Sequence, residues 1–118
     1  MTATAVHHLS GDAVVGVDGT AETRIAFAGA NLDVEIITAS VSMTGLPADQ
    51  LFGELRMWLG PADSGVLIGG TFVGSMNSSE WPPGALPVTA NEFLTFRWSQ
   101  ASTGARCRAT VRYRVTIR

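Results

Sequence analysis

Polar and apolar residues alternate almost without error from Arg106 to Arg118, the period of a strand with one face buried and one face wet. Cys107, Ala109, Val111, Tyr113, Val115 and Ile117 fall on one face. Arg106, Arg108, Thr110, Arg112, Arg114, Thr116 and Arg118 fall on the other. A strand of this length at the end of a chain needs a broad partner sheet and a second layer beneath it, so the pattern predicts a β-sandwich with its C-terminus locked into a sheet.

Shorter strands separated by turn signals account for most of what precedes it. Ala13–Val17 is apolar, Asp18-Gly19 is a strong turn signal, and Glu22–Ala28 places Thr23, Ile25 and Phe27 inward, which predicts a first hairpin. Asp33–Met43 reads as a long strand whose alternation breaks at Ile36-Ile37, the mark of a β-bulge or of a change of environment. Gly45–Gly53 is the one candidate for a helical turn, with Pro47 suited to its start and Gly53 to its stop. Glu54–Leu59 alternates Leu55, Met57 and Leu59 against Glu54, Arg56 and Trp58. Val66–Ile68 and Thr71–Val73 read as short strands joined by Gly69-Gly70. Gly74–Pro87 is the longest irregular stretch, and Glu92–Ser99 places Leu94, Phe96 and Trp98 on one face.

The count is about eight strands, which two four-stranded antiparallel sheets would hold. Long cross-connections at 44–53 and 74–91, mixed with tight turns, favour a jelly-roll-like sandwich. An immunoglobulin-like sandwich is the alternative. Residues 1–10 form a polar segment, expected to be an N-terminal arm or edge strand, and residues 11–118 a single domain.

A chain of 118 residues can bury a real core without cross-links, and its single cysteine, Cys107, sits on the apolar face of the last strand. The formal net charge is −2, which argues against general binding to nucleic acid or to membrane surfaces. No apolar run approaches the length of a membrane span, and the N-terminus lacks the basic-then-apolar pattern of a secretion signal. All eight basic residues are arginine, the usage of a GC-rich genome.

Charge is segregated along the chain: the last strand carries five arginines and no acid, against three arginines and ten acids before it. One explanation is internal, with Glu35, Glu54 or Glu92 supplying opposite charges from neighbouring strands. A second makes Arg106, Arg108, Arg112 and Arg114 an interface that reaches carboxylates on a partner, for which the planar guanidinium is suited. Nucleic acid is disfavoured, because Tyr113 faces away from the arginines and the rest of the chain is acidic. Trp98 reads as core. Trp58 and Trp81 fall outside it, in the positions of interface aromatics or of rings that stack on sugars. His7-His8 cannot complete a metal site, since adjacent strand residues point to opposite faces and no spaced ligand accompanies them. No nucleophile elbow, phosphate loop or metalloprotease motif is present. The sequence thus predicts a protein without catalytic residues, metal or cofactor.

A compact lysine-free all-β domain with a polar N-terminal segment and a long closing strand, Thr2 to Arg118 taken together, resembles the small β-sandwich accessory proteins of tailed bacteriophage virions. The resemblance rests on layout rather than on a motif. It implies a non-enzymatic virion structural protein, foremost a capsid decoration or cement protein, assembled in the bacterial host cytoplasm. It also implies homo-oligomers, with a trimer favoured, contact with a major capsid protein, and an arm, Met1–Ser10, in which Val6 and Leu9 are the apolar anchors. The alternative reading is a carbohydrate- or receptor-binding module, for example at a tail, that uses Trp58, Trp81 and the 74–91 loop.

Overall fold

Alternation becomes pairing in the computed structural model, which describes residues 3–26, 32–74, 86–88 and 93–117. Eight strands follow in order: β1 (Ala3–Val14), β2 (Ala21–Ala26), β3 (Leu32–Thr44), β4 (Phe52–Leu59), β5 (Val66–Gly74), β6 (Leu86–Val88), β7 (Phe93–Ser99) and β8 (Arg106–Ile117). They form two antiparallel four-stranded sheets, sheet A in the order β1-β8-β3-β6 and sheet B in the order β2-β7-β4-β5. The chain changes sheet at every connection except β4 to β5. That arrangement is the jelly roll, and it sets aside the immunoglobulin-like alternative.

Crossing between sheets also overturns the predicted first hairpin, because β1 and β2 enter opposite sheets. The turn itself is as tight as Asp18-Gly19 promised. Gly16 N donates to Thr20 O at 3.0 Å and Gly19 N to Gly16 O at 3.0 Å, Gly19 takes a φ of 78°, and the Asp18 carboxylate accepts from Thr20 N and Oγ1 at 3.1 and 2.8 Å. Those two bonds hold the Asp18 carboxyl below the usual carboxylate range. What turns here is a corner of the sandwich rather than a ladder.

Four other expectations are refined. The break at Ile36-Ile37 is a register shift between β3 and β8, at Ile36/Thr38. The two short strands around Gly69-Gly70 are one strand, β5, in which Ile68 is the extra residue between the pairs Met57–Gly69 and Trp58–Leu67. β6 begins at the end of the stretch read as irregular, and the 45–53 connection holds only a single 3-10 turn, Ala48–Gln50.

Between the sheets, the buried inward residues of β8 are small. Sheet A contributes Ile36, Ala39, Val41, Met43, Cys107, Ala109 and Val111 to the core; sheet B contributes Ala21, Ile25, Leu55, Met57, Leu94, Phe96 and Trp98. Layers about 10 Å apart fill without voids when large residues of one face meet small residues of the other. Gly11 on β1 belongs to this scheme, because a Cβ there would collide with the Thr23 side chain on β2. Among the described side chains Trp98 Nε1 is the one buried nitrogen without a hydrogen-bond partner, so this ring is held by packing alone.

One end of the sandwich is closed by polar backbone bonds. Ala101 N donates to Gly19 O, Val15 N to Ala105 O and Gly104 N to Val15 O, each at 2.9 Å. Buried Ser102 ties the β3–β4 connection to the same end: its N donates to Phe52 O, and its hydroxyl accepts from Phe52 N, both at 3.0 Å, while donating to Gln50 O.

Two substitutions test this arrangement. Val111→Asp places an unpaired charge at a position of 0% exposure and should cost several kcal/mol, removing the soluble folded protein at ordinary temperature. Ser102→Ala orphans Phe52 N and should lower the denaturant-derived stability by about 1–3 kcal/mol with the fold intact. A Val111→Asp protein that melts like the parent would reverse the assigned inward and outward faces of β8.

Candidate interaction face

β8 lies inside sheet A, so its outward residues stand at the middle of a broad polar surface. Register with β1 and β3 lines up Asp12, Arg108 and Ser42 in one row, Ser10, Thr110 and Ser40 in the next, then His8, Arg112 and Thr38, then Val6, Arg114 and Glu35. Ser10 and Thr110 share a hydroxyl hydrogen bond at 3.1 Å.

Opposite charges meet twice on this face. Arg108 Nε donates to Asp12 Oδ1 at 2.8 Å, and Arg114 donates to Glu35 Oε1 at 2.8 Å. The Arg108 bond holds the Asp12 carboxyl below the usual range and raises Arg108 in turn. Glu35 was an expected partner; Asp12 was missed, because nothing local indicates that β1 would lie beside β8. Glu54, also expected there, belongs to sheet B and pairs with Arg56 at 2.9 Å. Glu92 lies outside the described residues. Among the described residues Arg106 and Arg112 have no acidic partner within ion-pair distance, and both are exposed.

At one end of the face, Arg106 and Arg108 flank a half-open cleft of about 540 Å³ whose polar wall includes Asp12, Ser42 and Thr44. The stem of Arg106 lies close over Gly45: a Cβ on Gly45, whose φ is 92°, would stand 3.3 Å from Arg106 Cγ. Backbone shape therefore seats the stem and leaves the guanidinium outside.

Sheet B treats its outer face differently, and Trp58 shows how. The ring, expected outside the core as a contact residue, is only 4% exposed. It does lie on the outward side of β4, and the error was to equate outward with wet. Arg97 stacks over the indole with its guanidinium carbon 5.4 Å from the ring centroid. Arg97 is itself held by Asp63 at 2.8 Å and Glu22 at 3.2 Å, which raise its pKa. The β4–β5 loop is folded back onto the sheet: Gly60 N donates to Phe93 O at 2.8 Å, Thr95 Oγ1 donates to Gly60 O at 2.7 Å, and Asp63 takes a φ of 66°. Thr95, Trp58's cross-strand partner, is fully buried as a result. Trp58 is thus no free contact residue, and Trp81 lies outside the described residues.

Of the remaining expected contact residues, Val6 is exposed on the outer face of β1, whereas Leu9 is 36% exposed on the inward side, opposite Val111. From Ala3 onward the segment expected to be an arm or edge strand is hydrogen-bonded to β8 as the first part of β1. His7 places its ring 5.7 Å from Tyr113. Among the described residues no group of His, Cys, Asp or Glu is arranged to hold a metal ion, and no helix is long and apolar enough to cross a membrane.

No family model and no curated protein matches the chain. Solved structures do. A subunit from Bacillus endospore appendages, described as a family of disulfide-linked pili, aligns at a TM-score of 0.54 and 10% identity over 100% of this chain and 92% of that one. A chain of the extra small virus particle of the giant freshwater prawn Macrobrachium rosenbergii aligns at 0.45 and 9% identity, over 94% and 79% of the two chains. Infectious bursal disease virus, Gx strain, gives 0.40 and 10% identity, over 98% of this chain and 32% of that one. At such identities the likeness to the appendage subunit establishes a shared sandwich fold and nothing further.

Burial pushes the Cys107 thiol up to about 12 from 9.0. The unfolded chain therefore loses this proton near pH 9 while the folded chain keeps it. Stability contributed by the neutral thiol is intact below pH 9 and is lost as pH rises toward 12. Cys107→Ala should flatten that part of the decline in a series of unfolding curves, and the native thiol should ignore an aromatic disulfide reagent until denaturant is added. Rapid labelling of the folded protein would contradict its burial.

Proposed function

We propose that this chain is a non-enzymatic structural subunit of a virion, a capsid decoration or cement protein that docks through the outer face of sheet A. The observation that carries this reading is the contrast between the two outer faces. Sheet B covers Trp58 and Thr95 on its own with the β4–β5 loop and neutralises Arg97 twice, whereas sheet A carries four arginines against two acids among its described side chains and leaves Arg106 and Arg112 without acidic partners. Unpaired arginines in rows of serine and threonine suit the carboxylates and backbone carbonyls of a protein surface, where bidentate contacts fix orientation. The partner is read as an acidic patch on a major capsid protein, engaged by many modest contacts multiplied by symmetry. Location in the virion follows from the same reading.

Oligomerisation belongs to this proposal. The long open edge of β1 favours two-fold pairing over the trimer that the layout resemblance implies. The rival reading, recognition of a glycan or receptor, has lost one of its two rings with the burial of Trp58 and rests now on Trp81 and the 74–91 loop.

Capsid co-sedimentation tests the reading. Arg106→Glu/Arg112→Glu should fold normally and lose at least tenfold in capsid affinity, and parent binding should weaken as salt rises. Arg114→Ser removes a guanidinium already spent on an exposed ion pair, so stability should change by about 1 kcal/mol or less. Undiminished capsid occupancy by the double variant would overturn the docking face. Glycan binding abolished by Trp81→Ala would establish the rival.

A further inference from the structure

Each sheet has two open edges, and the four are unequal. β6 is three residues long and contains Pro87, β2 is six residues long, and β5 carries a register shift and the Gly69-Gly70 pair. Short strands, proline and bulges are the devices that keep sheet edges from joining other chains. β1 has none of them. It runs twelve residues, Ala3–Val14, without proline, lysine or bulge, and it is paired on one side only.

We infer that β1 pairs with β1 of a second copy, antiparallel and centred on Ser10, so that sheet A continues across a two-fold axis as one eight-stranded sheet. A perpendicular two-fold axis between antiparallel strands keeps outward residues opposite outward residues, which restricts the centre to a residue and not to a gap between residues. Centring on Ser10 places His8 opposite Asp12 of the second copy, twice. It also places Val6, 44% exposed, opposite Val14, 62% exposed, again twice. On the inward side Leu9 meets Gly11, the residue without a side chain. Arg108 occupies Oδ1 of Asp12, which leaves Oδ2 to accept an imidazole N–H from His8.

Neighbouring registers lose these matches. Centring on Leu9 sets Val6 against Asp12, and centring on His8 sets the two imidazoles against each other and Asp12 against Thr4. Cross-strand pairs of opposite polarity or matched apolar character are the unit of sheet stability, and the Ser10 register has the most of them. This pairing stands whether or not the assembly is a virion.

Cysteine pairing reads the register directly, since the native Cys107 is buried and does not compete. Directly opposed strand residues have Cα atoms about 4.5–5.5 Å apart, within reach of a disulfide. Ser10→Cys should cross-link to itself on mild oxidation. His8→Cys and Asp12→Cys should each remain uncrosslinked alone and join when mixed. The parent should sediment near twice the chain mass of 12.4 kDa at high concentration. Ser10→Lys, which brings two ammonium groups together at the axis, should be a folded monomer by circular dichroism and sedimentation. A parent that stays monomeric at every concentration would overturn the inference, and so would a Ser10→Lys dimer. Self-cross-linking of Leu9→Cys in place of Ser10→Cys would overturn the register. A β1 edge that is covered only when another virion protein is added would assign the occupant to that protein and likewise overturn self-pairing.

Discussion

The packing of the small inward residues at the middle of sheet A against the large ones of sheet B governs the rest of this structure. Ala39, Ala109 and Cys107 on sheet A leave room for Phe96, Trp98 and Met57 on sheet B, and none of these six is more than 1% exposed. Small residues there let the large side chains approach without leaving voids. β8 lies inside sheet A and pairs along its length with β1 and β3, so its outward arginines are held at fixed spacing. Core packing and the layout of the charged face are two consequences of one strand's alternation.

Local pattern made much of this legible. Period-two alternation located β2, β3, β4, β7 and β8, but it placed the first strand at 13–17 rather than over β1, split β5 in two and missed β6; the doubled isoleucine at 36–37 marked a real register shift, because an extra residue has to disturb the face on which its neighbours lie. Pairing partners were far less legible. Asp18-Gly19 encodes a sharp reversal, yet reversal within a ladder and reversal between layers use the same residues, and only contacts distant in sequence separate them. Asp12 was missed for the same reason: 96 residues separate it from Arg108. The burial of Trp58 depends on a loop folding back, held by a threonine hydroxyl on another strand. Alternation reports the side of a sheet and is silent on what lies over it.

The two outer faces show how a protein disposes of charge without burying it deeply. Arg97 has two carboxylates and an indole beneath it, an arrangement that fixes a long side chain and seals an aromatic ring at once. Arg106 has a seated stem and a free head. Ordering the stem over Gly45 in advance lowers the entropy lost when the guanidinium meets a partner, so a surface of such residues is prepared for contact in a way that a lysine surface would not be.

Cysteine chemistry separates this chain from the appendage subunit whose fold it shares. That subunit is described as belonging to disulfide-linked pili. Here the single cysteine faces the core at 1% exposure, and its thiol is held neutral by burial. A covalent link through Cys107 would require opening the contact between β8 and sheet B, the same contact on which the fold depends. The proposed contacts use surfaces that remain available while the core is closed. The arginine face and the open edge of β1 join along Asp12: the carboxylate that anchors Arg108 on the face is the one that the proposed edge pairing offers to a neighbouring strand. Face and edge are therefore coupled through one side chain, and occupancy of the edge would steady the arginine row proposed to meet a partner surface.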